Sequence, residues 1–446
     1  MLDYQLWLTF GVFITTVIFL MWRPRGINES IPTSLGALLL IITGVSSYTN
    51  IIEIFGIVSG AAVTILSTIV MSIILDSIGF FRWIAINMID KARGSGIKLY
   101  WLIILLCFLM TIFFNNDGSI LITTPIIIRI CSILRLKMHQ KLPYLISGAL
   151  VATASSAPIG LSNLANLIAL KMVGLDLNQY TLMMFLPSML GIISITLLLY
   201  YYFRTNIPKK IHHFPIQLSS TSYHPLQTPP ENQEKVDWWL FRVCISIVVL
   251  IRAGFFLAES FGIPMEAVAI TGVVLMLAVR YYRTRQGVKD VVTQTPWHIL
   301  LFAFSIYVIV DSLHRAGVTE SIITLLKPLA EMGDASLIAA SGIMLTILSN
   351  LVNNLPSVMI GTFVVTDLGL SDQQLHLAYL ANILGSDIGA LLTPIGTLAT
   401  LIWMFILKTH HIHISWKQYM KVTFIVVPIG LIISLVSLYI WTLILF

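Results

Sequence analysis

The sequence predicts an all-α, polytopic membrane protein made of two inverted-topology repeats, each with three spans, a re-entrant hairpin, a broken helix and a final span. Three observations lead there. Apolar runs of membrane-spanning length recur along the chain, short motifs recur in both halves at a nearly constant offset, and small polar clusters interrupt the apolar runs at matching places.

With 57% of its 446 residues hydrophobic, 10% charged and a mean hydropathy of +0.91, the chain has far more apolar surface than one soluble core could bury. A bilayer takes a helix of about 20 apolar residues, and runs of about that size cover Tyr4–Trp22, Pro32–Tyr48, Phe55–Asp76, Leu182–Phe203, Val236–Ala258, Ile263–Val279, the rather short Trp297–Val310, and Val422–Leu445. The start, MLDYQLW, lacks a basic n-region and its run ends in WRPRG, so it reads as a retained span. Net charge of +6 concerns orientation here, not nucleic acid. Cys107, Cys131 and Cys244 stand singly in apolar runs and read as small buried hydrophobes, with no disulfide or zinc pattern.

Five pairs carry the duplication: Ile31-Pro32 with Ile263-Pro264, Asp76-Ser77 with Asp311-Ser312, Asn115-Asn116 with Asn353-Asn354, Pro158-Ile159-Gly160 with Pro394-Ile395-Gly396, and QYTLMMF with QYMKVTF. The expected organisation is therefore a first transmembrane repeat over 1–203, a cytoplasmic linker over 204–236 rich in proline and polar residues, and a second, inverted repeat over 237–446. His212, His213 and His224 in the linker read as solvated, without the spacing of a metal site; no metal or other cofactor is expected.

Lysine and arginine orient the spans, because short cytoplasmic loops concentrate them. With both termini outside, all of the 26 except Lys171, Arg252, Arg315 and Lys327 fall on the cytoplasmic side. Five crossings per half invert the second repeat. Arg252, alone in its span, is expected to snorkel or to pair with an acid such as Glu259. The hairpin arm over 98–114 is long for half a membrane, so a full crossing there stays open.

The polar interruptions are the candidate site. Non-helical backbone at membrane depth is tolerated only against protein or a cavity. The first tip, FFNNDGS, offers Asn115, Asn116 and Asp117; the second, SNLVNNLPS, offers Asn350, Asn353 and Asn354. About 40 residues after each tip a helix breaks at Pro-Ile-Gly. The first break brings Ser155, Ser156, Ser162, Asn163 and Asn166, and the second Ser386, Asp387, Thr393, Gly396 and Thr397. Carboxamides both donate and accept hydrogen bonds, which suits a small polar solute. The substrate-binding set is Asn115, Asn116, Ser162, Asn163, Asn166, Asn353, Asn354, Thr393, Gly396 and Thr397. Intramembrane carboxylates are costly and usually functional, so Asp117 and Asp387, in comparable places of the two halves, are assigned to proton coupling. Asp76 and Asp311, at span ends, fit helix-end or interface roles at least as well as transport.

WRPRG, ILDSIGFFRW, FFNNDGSILITTPI, GLSNLANL, PWHILLFAFSIYVIV, NLVNNLPSVMIGT and ANILGSDIGALLTPIGTLATLIWM, in this order, resemble the ArsB-type arsenite/antimonite efflux permeases of the ion transporter superfamily. The resemblance covers nearly the whole chain. It implies a plasma (inner) membrane protein exporting trivalent arsenic and antimony hydroxides on the proton gradient, sometimes with a cytoplasmic ATPase as partner, and a transport site between the hairpin tips and the broken helices. The chain departs from the pattern at Ser386, where many members carry Cys, and at Ala390-Leu391, where they carry Pro-Lys. Within transport, the alternatives are a sodium/proton antiporter or a small-anion carrier. In another class stands an intramembrane enzyme, against which there is no H-E-x-x-H spacing or nucleophile–base pair. No nucleic-acid partner is expected.

Overall fold

The computed structural model describes residues 2–23, 27–211 and 237–445, and among these the chain is helical throughout, without strands. The linker histidines and most of 204–236 lie outside the described residues, as does Arg25. Among the described residues ten helices are long and apolar enough to cross a membrane. Helix is the form that satisfies every backbone N–H and C=O within its own segment when no water is available.

In the first half α1 (Leu2–Trp22), α2 (Ser30–Ile42) and α3 (Tyr48–Ser77) are followed by a half-buried connector, α4 (Phe80–Ala92). A helical hairpin comes next, α5 (Gly96–Phe113) and α6 (Asn116–Ile133), then α7 (Met138–Ala154), a break over 155–163, α8 (Leu164–Val173) and α9 (Leu177–Phe203). The second half runs α10 (Trp238–Ser260), α11 (Met265–Thr284), a short α12 (Lys289–Gln294), α13 (His298–Arg315) and a connector α14 (Glu320–Glu331). Its hairpin is α15 (Asp334–Val352) with α16 (Asn354–Asp367), followed by α17 (Asp372–Asp387), a break over 388–397, α18 (Leu398–Thr409) and α19 (Trp416–Leu445).

Short polar residues start these helices by accepting an orphan N–H. Ser95 accepts from Lys98, Asn115 from Gly118, Asn163 from Ala165, Asp176 from Asn178, Ser371 from Gln374 and Thr397 from Thr400. At the two breaks, carbonyls freed from the helix find side-chain donors: Tyr180 Oη donates to Ala157 O at 2.7 Å and Thr423 Oγ1 to Leu392 O at 2.7 Å. Both breaks are thus paired interior structure rather than loops in water.

Several boundaries differ from expectation. The second apolar run, expected over Pro32–Tyr48, is a helix only from Ser30 to Ile42, because Gly44 turns the chain and Ser47 caps α3, which begins at Tyr48 rather than near Phe55. The run expected to end at Val310 continues to Arg315, and the last helix of each half starts earlier than its apolar run, at Leu177 and Trp416. Polar first turns carry no hydropathy signal, which is why they were missed. The arm expected over 98–114 spans Gly96–Phe113, about 27 Å of helix.

The halves pack on each other reciprocally. Helix α2 lies along α13 and α11 along α3; α6 packs on α18 and α8 on α16; α9 and α19 pack on each other. Lipid tails are as apolar as leucine, so such contacts rely on close van der Waals fit and small residues. A Cβ on Gly191 would fall 1.8 Å from Ser434 Oγ, and one on Gly430 2.4 Å from the Ile195 side chain. Between α15 and α17 the Gly385 position lies so close to Gly342 O that a Cβ there would be 2.3 Å away. The start of the linker is also fixed: Ile211 N donates to Gly94 O at 2.7 Å, and a Cβ on Gly96 would be 2.0 Å from Pro208 O.

Candidate functional site

The two hairpin tips meet inside the protein. One cavity is lined by Asn116 and Asp117 from the first tip, Asn354 and Leu355 from the second, Asn163, Leu164 and Ala165 at the start of α8, Leu398 at the start of α18, and Ile299 and Phe302 of α13. It is narrow, about 20 Å³, room for about one ordered water. Its wall combines three carboxamides and one carboxylate with leucine, isoleucine and phenylalanine, so a solute that enters exchanges water for amides.

Local chemistry explains how the first tip is built. Asn115 is extended (φ −166°), ends α5 and starts α6; its Oδ1 accepts from Gly118 N at 2.6 Å while its Nδ2 donates to Thr68 Oγ1 at 3.0 Å. With Asn115 committed to capping and anchoring, Asn116 and Asp117 form the first turn of α6. Asn116 Oδ1 accepts from Asp117 N at 2.8 Å. Asp117 is half-buried, and among the described residues no hydrogen bond or ion pair reaches its carboxylate. At the second tip, Asn353 takes φ 77° and ψ 157° and donates from Nδ2 to Ile395 O at 3.0 Å, reaching into the second break. That backbone region is nearly restricted to glycine and costs about 1–3 kcal/mol. Pro356 lies in the first turn of α16, where a missing N–H leaves nothing to satisfy.

Behind the cavity wall lies a second cluster. Asp387, wholly buried at the end of α17, accepts from Ser156 Oγ at 2.7 Å, Asn163 Nδ2 at 2.8 Å and Asn166 Nδ2 at 2.7 Å, with Ser386 Oγ at 3.4 Å. Its carboxylate thus ties the end of α17 to the break of the other half. Asn163 belongs to both clusters: it lines the cavity with one face of its residue and donates to Asp387. Charge-assisted bonds of this kind are roughly twice as strong as neutral ones.

A third cluster joins the second tip to its own break. Asn350 Oδ1 accepts from both Thr393 N and Thr393 Oγ1 at 2.8 Å, and its Nδ2 donates to Gly389 O at 2.9 Å. A Cβ on Gly396 would lie 1.9 Å from Ala390 O, so only glycine fits. Thr397 Oγ1 caps α18.

Of the proposed binding residues, then, Asn116, Asn163 and Asn354 face the cavity. Asn115 anchors the first tip, Asn166 serves Asp387, and Ser162 is buried beside the first break. Asn353, Thr393, Gly396 and Thr397 build the second-tip joint. Asp117 and Asp387 do not occupy comparable places: one is an unpartnered wall group, the other a fully bonded one behind it. Ser156 and Asn350, both named at the interruptions, stand outside the expected binding set yet bond within these clusters, and Ile299 and Phe302 of α13 carry no signal in the sequence. Arg252 does not snorkel: it is 7% exposed and donates from Nε to Phe113 O at 2.6 Å and from Nη2 to Phe114 O. The side chain of Glu259 lies outside what is described. Ser386, Ala390 and Leu391, where the chain departs from its resemblance, are buried.

Comparison with known proteins identifies the family. The sequence model of the family described as ArsB, arsenical pump membrane protein, matches residues 8–442. A Bacillus subtilis (strain 168) relative, provisionally named an arsenical pump membrane protein, is 47% identical over 437 residues, 96% of this chain and 98% of that one. The arsenical pump membrane proteins of Yersinia enterocolitica and Escherichia coli are 31% and 29% identical, each aligned over 96% of this chain and 97% of theirs. Among solved structures, the YdaH transporter of Alcanivorax borkumensis superposes with a TM-score of 0.56 at 11% identity, covering 89% of this chain and 88% of that one, which is a likeness of fold. The chain belongs to the ArsB family of arsenical pump membrane proteins, and is a multi-pass membrane transporter rather than an enzyme.

Proposed function

We propose that the protein exports arsenite and antimonite, as neutral trihydroxides, in exchange for protons, through the cavity between the two hairpin tips. The observation that carries this reading is that Asn116, Asn163 and Asn354, from three separate segments, converge on one space in which Asp117 is the ionisable wall group among the described residues. A trihydroxide has three O–H donors and oxygen lone pairs but no charge at neutral pH, so carboxamides match it better than a counter-ion would. Leu355, Leu398, Ile299 and Phe302 replace the rest of its water.

In this reading the acids divide the work. Asp117 carries the proton: protonated when the cavity opens outward, it releases the proton when the cavity opens to the cytoplasm, where solute loads. Asp387, with three strong donors and no open face, stays a carboxylate and orients Asn163. Two inverted repeats over 1–203 and 237–446, joined by a cytoplasmic linker, would let the cavity change sides by a rocking or sliding of one set of helices on the other. The reciprocal packing of α2 with α13 and α3 with α11 supports that symmetry.

The test is uptake into everted vesicles with arsenite, antimonite, sodium or succinate, with and without a proton gradient. Arsenite and antimonite should accumulate only with the gradient. Asp117→Asn should abolish this uphill uptake while leaving downhill exchange. Gradient-driven uptake of sodium or succinate instead would replace the reading with an antiporter or anion carrier, and full accumulation in Asp117→Asn would remove the proton role from this acid.

A further inference from the structure

The first hairpin tip is held by a cation from the other half of the chain. Arg252 stands in the body of α10, 14 residues past its first residue, Trp238, at a depth where a charge is expensive. Its guanidinium reaches across 138 and 139 residues of sequence to the carbonyls of Phe114 and Phe113, the last of α5. Those carbonyls have no intrahelical partner, and they lie at the negative end of the helix dipole, where a cation is favoured. The next residues are Asn115, Asn116 and Asp117. Nη1 is buried without a hydrogen-bond partner, and among the described residues no carboxylate pairs with this arginine. A guanidinium cannot discharge itself, and among the described residues the partners that receive this cation are two backbone oxygens. The second tip has no counterpart: among the described residues no lysine or arginine bonds to the carbonyls that end α15.

We infer that Arg252 is a positioning residue of the transport site: by gripping the end of α5 it holds the first tip, with Asn116 and Asp117, in the cavity. The inference rests on the reading of that cavity as the transport site. Without the grip, two carbonyls face an apolar interior unpaired, and among the described residues the hydrogen bond that still ties Asn115 to another segment is the one to Thr68.

The test separates this from a general packing role. In full-length protein with Cys107, Cys131 and Cys244 replaced by serine, a single cysteine is placed at the first tip (Asn116→Cys) or at the second (Asn354→Cys), and the rate of reaction with a small methanethiosulfonate is measured in membranes. Arg252→Met should raise the rate at position 116 severalfold and leave position 354 unchanged. No change at 116, or an equal rise at both, overturns the inference. This measurement needs no substrate, so it stands or falls independently of whether arsenite is the cargo. In the cysteine-containing protein, Arg252→Met should raise the half-saturating arsenite concentration by about tenfold with a maximal rate within about twofold of wild type, as expected when ground-state positioning is lost; an unchanged half-saturation counts against it. Should Arg252→Met fail to reach the membrane, Arg252→Lys decides, since one ammonium cannot reproduce the planar two-oxygen grip: its labelling at 116 alone should rise, and labelling equal to wild type overturns the proposal.

Discussion

The two hairpins end in nearly the same letters, Phe-Phe-Asn-Asn and Leu-Val-Asn-Asn, yet their tips are held by different means. The first caps itself through Asn115, is anchored on Thr68, and has an acid and a cation at hand, Asp117 within it and Arg252 brought from α10. The second has neither charge. It is held by Asn353, in a backbone conformation suited to glycine, bonded to Ile395 in the adjoining break, and by Asn350 bonded to Gly389 and Thr393. The outer ends differ as well: Arg135, Lys137 and Lys141 flank the first hairpin where α6 meets α7, while Asp367 and Asp372 flank the second where α16 meets α17. Among the described residues, the first tip adds a charged partner to its neutral anchor while the second is tied by neutral amides alone, the difference that the proposed proton role of Asp117 would use.

The comparison breaks most sharply on sidedness. A membrane-impermeant maleimide should label Lys137→Cys only from the cytoplasmic face and Asp372→Cys only from outside, an all-or-none difference; labelling of both from one side would end the inverted arrangement and with it the external C-terminus. Next in size is Asp387→Ala. It strands the Nδ2 donors of Asn163 and Asn166 in a buried space, while Ser156 Oγ keeps Thr153 O as its acceptor, and at about 1 kcal/mol or more per orphaned donor the loss of stability should be about 2 kcal/mol. The thermal midpoint in detergent reads this, and a midpoint equal to that of Asp117→Asn would mean the two acids are equivalent after all. Asn116→Ala and Asn354→Ala should each lower arsenite export by about tenfold at normal membrane levels, since each removes a donor and an acceptor worth about 1 kcal/mol or more; wild-type export by both would move the site. The smallest effects distinguish the tips themselves. Asn115→Gly should cost about 1 kcal/mol, mostly through the lost anchor on Thr68 since glycine is itself a tolerable cap, whereas Asn353→Gly loses one bond but relieves its backbone, and should change the melting midpoint hardly at all.

Much of this arrangement could be read in advance where it depends on local pattern. The tip motifs, the Pro-Ile-Gly breaks and the spans leave marks in short windows, because a polar cluster inside an apolar run has few physical explanations. What depended on residues far apart could not be read. Asp117 and Asp387 look alike as lone acids near glycine; only folding reveals that Ser156, Asn163 and Asn166 surround Asp387 and that no described residue bonds the carboxylate of Asp117. Arg252 looked like a charge to be excused, since its partners are backbone oxygens, which have no letter in the sequence. Helix starts such as Leu177 and Trp416 were placed late because their first turns are polar.

The seam between α9 and α19 has an implication for ancestry. A helix that packs against its own counterpart, with Gly191 against Ser434 and Gly430 against Ile195, is what a two-fold axis produces. If the halves descend from one duplicated gene, a half-length ancestor could already have dimerised across this seam, inserted in the membrane in both orientations, before fusion fixed one copy each way. The same seam should let the present chain be cut: residues 1–211 and 237–446, synthesised as separate polypeptides in one cell, should find each other and restore arsenite resistance.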